Sequence, residues 1–272
     1  MLTVIDISSD PAAGATLAAA AFGDEPGRWP LPTARTPQQL WLRAIAAGGQ
    51  GRYGTARSDL ATLRRLAPAG RLASLAHSTQ GSFLRQLGWH DLARGWDGRA
   101  SALAGDDPEA AADALIGLAA DALGMGRLYA SAALLGRAEP LAKEAAVHRL
   151  QVRRSWVAAE LAMASGDGHT AVRHAETATE LAASAGSQRH QAKSEVVLAA
   201  ALCSAGDVEK ARAVGDAALE TTGNLGLVPL RWAVACLLVD IGSATRTTQQ
   251  LRDIRDACAE EVRHAGGAWS AG

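Results

Sequence analysis

The chain has 272 residues, 48% of them hydrophobic, so it has the material for a substantial core and is not disordered over its length. A formal charge of -1 supplies no general attraction to nucleic-acid phosphates or anionic lipid, which sets both aside as partners. Aromatic residues make up only 4% while alanine recurs throughout, a composition that suits helices packed closely on helices.

Taken in chain order, residues 11–22 read as a helix, followed by a Gly- and Pro-rich connector, G-R-W-P-L-P-T-A-R-T-P, that should run extended. Together, residues 1–35 form a capping helix and connector ahead of the main array. No basic opening precedes them, so a secretory signal is not expected and the chain reads as cytoplasmic. The longest apolar runs, Val196 to Cys203 and Trp232 to Val239, are too short to span a membrane.

Residues 36–264 carry helix-favouring stretches separated by glycines, with no convincing period-two strand pattern. Gly51, Gly88, Gly126, Gly166, Gly206 and Gly242 recur at intervals of 36 to 40 residues. Seven residues before them stand Ala44, Gly81, Ala119, Ala159, Ala199 and Ala235, all small. Five after come Ala56, Ala93, Ser131, Ala171, Ala211 and Thr247, and twelve after come Leu63, Ala100, Ala138, Ala178, Ala218 and Ile254. The last two columns are seven apart and lie on nearly one helical face. Each glycine can end a first helix in the left-handed conformation, and the small columns let a second helix fold back against it. Asp167 and Asp207 then stand where they can cap the second helix.

The segments L-G-W-H-D-L-A-R-G-W-D-G-R-A from Leu87 and A-G-D-V-E-K-A-R-A-V-G-D-A-A from Ala205 resemble the inter-helix turn and second helix of the tetratricopeptide repeat family. The resemblance covers residues 36–264 and implies an all-α, right-handed solenoid of about six antiparallel helix pairs. The units are longer than the family's usual repeat of about 34 residues, and its closing proline appears only at Pro68. Such a solenoid implies a non-catalytic binding module, a protein-interaction adaptor or regulatory sensor, with a protein or peptide partner in its concave groove. Two alternatives stay open: a receptor for a small hydrophobic ligand or signalling peptide, and a structural homodimer.

Carrying the family's groove positions across places Arg153, Trp156, Glu160 and Met163 on the inner face of the fourth unit. Lys193 and Val196 fall there in the fifth, and Trp232 and Val239 in the sixth. These residues either pack adjacent pairs together or line a trough in which the tryptophans anchor an apolar partner and Arg153 and Lys193 meet an acidic group. No nucleophile with a base, phosphate loop, paired cysteines or zinc-binding histidine spacing accompanies them, so neither catalysis nor a cofactor or metal is expected. The tail, residues 265–272, has no evident packing partner and reads as flexible.

Overall fold

A computed structural model describes residues 11–270, and among these every regular element is a helix. Residues 1–10 and 271–272, which belong to the expected N-terminal and C-terminal segments, lie outside the described residues. A first helix, α1 (Pro11–Phe22), precedes six pairs: α2 (Pro37–Gly49) with α3 (Tyr53–Leu66), α4 (Arg71–Gln86) with α5 (His90–Leu103), and α6 (Pro108–Gly124) with α7 (Leu128–Glu144). Then follow α8 (His148–Ala164) with α9 (Gly168–Ser184), α10 (Gln188–Ser204) with α11 (Val208–Asn224), and α12 (Val228–Ile241) with α13 (Thr248–His264).

All six expected turn glycines lie between the helices of a pair, with φ from +72° to +87°, a conformation that glycine adopts without a Cβ clash. The seven-before column is wholly buried at every alanine, as is the five-after column at Ala56, Ala93, Ser131, Ala171 and Ala211. Leucine substituted at Ala171 or Ala199, both with no exposed surface, should cost about 1 to 3 kcal/mol in urea melts as methylenes are forced into a closed crossing. Exposed alanines serve as the control.

The sixth pair departs from the columns. Residues Ser243–Arg246 extend its turn, with the Ala244 N–H donating to the Asp216 carboxylate at 2.9 Å. The helix α13 therefore starts late, Thr247 is an exposed cap for Gln250, and Leu251 and Cys258 occupy the buried stripe expected of Thr247 and Ile254. Asp167 and Asp207 cap α9 and α11 as the sequence indicates, accepting from the Thr170 and Lys210 backbone N–H groups.

From Gly126 onward, a left-handed residue recurs every 20 positions, at Gly126, Ala146, Gly166, Gly186, Gly206 and Gly226. Helices of 17 residues joined by three-residue connectors produce this step. Ala146 is the one non-glycine in the series, at φ +52°. Its replacement by glycine should raise stability by about 1 kcal/mol, because alanine is strained there. A chemical-denaturation series on the two proteins reads this directly; a loss on replacement would mean the left-handed turn is not strained.

The first helices of successive pairs pack on one another, α2 on α4, α4 on α6, and so on to α12, whereas the second helices chiefly contact first helices. An inner layer more tightly gathered than the outer one makes the array curve. The curve runs until the last pair meets the first: a side chain at Gly51 would lie 3.2 Å from Val262 and 3.5 Å from Val228 and Pro229. Val262 is buried in the same core as Leu40, Tyr53 and Phe83.

Both chain ends complete this closure. The connector after α1 crosses to the fifth and sixth pairs. The Gln188 N–H donates to the Gly23 carbonyl at 3.1 Å, and Gly27 lies so close to the Leu225 carbonyl that a Cβ would fall 2.6 Å from it. Gln50 ties the same connector to α2, its side-chain amide donating to the Pro26 and Arg28 carbonyls at 2.8 and 3.0 Å. The expectation that the tail has nothing to pack against fails for residues 265–270. There the Gly54 N–H donates to the Ala265 carbonyl, the Ser270 N–H to Leu87, and the Trp89 indole to Ala268.

Candidate functional site: a cavity inside the ring

The inner helices enclose a cavity of about 410 Å³ at the centre of the ring. On α8, Arg149, Arg153, Trp156 and Glu160 follow helical spacing and face it together; on α10, Arg189 and Lys193, four apart, do the same. Apolar lining comes from Ile116, Ala120 and Leu123 of α6 and Val157 of α8. Phe22, at the end of α1, closes another side.

One wall is a run of rings. Phe22 lies 5.5 Å from Trp41 and 6.0 Å from His190, and His190 stacks on Trp156 at 5.4 Å and 15°. The Trp41 and Trp156 indoles donate to Thr79 Oγ1 and Ser194 Oγ at 3.1 and 2.8 Å, which satisfies each polar handle and fixes both rings. Cations border them: Arg149 sits 5.4 Å from the Trp41 centroid and Lys193 Nζ 4.8 Å from that of Trp156. Burial and the positive charges of Arg189, Arg149, Arg153 and Lys193 hold the His190 imidazole well below its usual pKa, so this ring is neutral at pH 7.

The cations differ in their partners. Arg85 pairs with Asp97 and Asp121, both with no exposed side-chain surface. Arg149 meets Glu109 at 2.7 Å and Asp113 at 3.1 Å, and Arg153 shares Asp113. The Asp97 carboxylate fits only because Gly81 and Gly117 lack side chains: a Cβ at either would fall 2.5 or 2.4 Å from its oxygens. Gly81, expected to allow a close helix crossing, thus makes room for a buried carboxylate. Among the described residues, no carboxylate lies within ion-pair distance of Arg189 or Lys193, and Arg189 Nε is buried without a hydrogen-bond acceptor. Burial, reinforced by Arg153 and Arg149, pushes the Arg189 guanidinium down to about 10, and burial lowers the Lys193 ammonium as well.

Of the residues read from the sequence as partner-binding, Arg153, Trp156, Glu160 and Lys193 line the cavity. Met163 packs into the core around Trp156 and Val197, while Val196 and Val239 pack against Leu219, Val234 and Leu238. Trp232 lies apart, its ring tilted 33° against that of Trp269 at 4.3 Å, in a shallower cleft of about 460 Å³ that shares Arg85 and Gln86 with the cavity. Trp156 and Trp232, expected to be equivalent anchors, therefore serve different spaces. Sequence reasoning missed Arg149 and Arg189, although each stands one turn before a residue it selected, Arg153 and Lys193. Phe22 and Trp41 had no such signal. No protein-family model matches the chain, and no curated protein is similar to it.

Proposed function

We propose that this protein is a non-catalytic receptor, the sensing part of a regulatory system, that holds one small molecule within a ring of tetratricopeptide-like helix pairs. The closure of the ring carries this reading. With the first pair against the last and the connector drawn across, the inner face forms a partly enclosed pocket of about 410 Å³. The volume falls within the range of small-molecule sites, and the lining matches them in combining apolar surface with a few converging polar groups. A polypeptide laid along the inner face, the partner suggested by the sequence, is less well supported.

The test is a thermal-shift and calorimetric screen of the full chain against small acids, amines and neutral amphipathic molecules, with an amphipathic helical peptide as comparator. A true ligand at about 100 times its dissociation constant stabilises by about 2.7 kcal/mol, which a melt detects easily. Ala120→Trp, which fills the apolar side of the cavity, should abolish that shift. Binding of the peptide alone, or a small-molecule shift untouched by Ala120→Trp, would overturn the proposal.

A further inference from the structure

Resting on the receptor reading, we infer that the ligand is a carboxylic acid with an apolar or flat body, its carboxylate seated on Arg189 and Lys193.

The argument begins with the cost of the two α10 cations. A charge removed from water is tolerated when an opposite charge and hydrogen-bond acceptors replace the lost solvent. Arg85, Arg149 and Arg153 meet that condition through Asp97, Asp121, Glu109 and Asp113. Arg189 and Lys193 border the cavity and, among the described residues, have no carboxylate at ion-pair distance; Lys193 has only the Trp156 face and the more distant Glu160, and Arg189 Nε has no acceptor. Gly49 adds to this: a Cβ there would fall 2.9 Å from Arg189 Cδ, so the glycine makes room for the arginine stem against α2.

The charged lining then sets the sign of the ligand. The cavity is lined by Arg85, Arg149, Arg153, Arg189 and Lys193 against Asp113 and Glu160. One layer out, Asp97 and Asp121 pair with Arg85, and Glu109 is shared between Arg149 and Arg71. A cationic ligand would add to five cations. The body of the acid meets Phe22, Trp156 and the apolar side chains of α6, which offer no further donors to a polar chain.

Calorimetry on the full chain with phenylacetate and decanoate, their amides, and phenyl phosphate separates the possibilities. At least one acid should bind ten times more tightly than its amide and than phenyl phosphate. Arg189→Gln and Lys193→Met, the latter keeping the stem beside Trp156, should each weaken it tenfold or more. Ligand-free melts should not fall in either variant, because an unpaired buried cation is being removed. Equal binding of acid and amide, insensitive to both substitutions, would overturn the carboxylate assignment and leave the receptor reading standing. Preference for phenyl phosphate would overturn the carboxylate. If neither acids nor amides bind while other molecules of the wider screen do, only the ligand class falls. Silence across both sets removes the receptor reading with it.

Discussion

Arg85→Met is expected to destabilise the protein by about 3 to 5 kcal/mol at pH 8, because it leaves Asp97 and Asp121 buried without their counter-ion. Methionine fills much of the arginine stem's volume, so lost charge and not lost packing dominates. The deficit should depend on pH with a definite sign. Burial raises the folded-state carboxyl of Asp97 from 3.8 to about 7, against the opposing pull of Arg85. A raised carboxyl favours the folded state at acid pH, and that contribution fades as pH climbs from about 4 to about 7. Without Arg85 the carboxyl rises further, so protonation relieves the variant more than the parent. The gap between them should be widest above pH 7 and narrow toward pH 5. Urea unfolding of both proteins at pH 5 and pH 8 measures this, and adding Asp97→Asn to the variant should recover part of the loss. A small, pH-independent deficit would mean that Arg85 is not holding these carboxylates.

Trp156→Ala should cost about 3 to 5 kcal/mol, the range for a large buried ring truncated in a packed core. Its side chain is 7% exposed, donates to Ser194, stacks on His190 and supports Lys193. The residue is a strut of the cavity wall first and a ligand contact only along one edge, so a binding assay on Trp156→Ala would confuse folding with recognition. Trp232→Ala should cost less, about 2 kcal/mol, since that ring is half-buried and loses chiefly its stacking on Trp269. Equal losses at the two sites in parallel denaturant melts would contradict the different roles assigned to them.

The turn within each pair and the pairing of its two helices were legible in the sequence, because both depend on local physics. A glycine that tolerates positive φ ends a helix, an aspartate caps the next, and alanines seven apart mark the face that crosses closely, as at Ala171 and Ala178. The late start of α13 was not legible, since the four inserted residues preserve small or apolar residues in the expected columns while moving the buried stripe to Leu251 and Cys258. Half of the candidate site was visible as a column of groove positions on α8 and α10. Phe22 and Trp41 gave no such signal, and they meet those helices only because the array curves. That curvature is the sum of small rotations between neighbouring pairs, set by how deeply each inner helix sinks into the next. Contacts such as Arg57 with the Gly266 carbonyl, 209 residues apart, join the ends of that sum and leave no periodic trace. Local periodicity therefore determined the helices and their pairing, whereas only the tertiary structure could decide that the solenoid closes and turns its groove into a cavity.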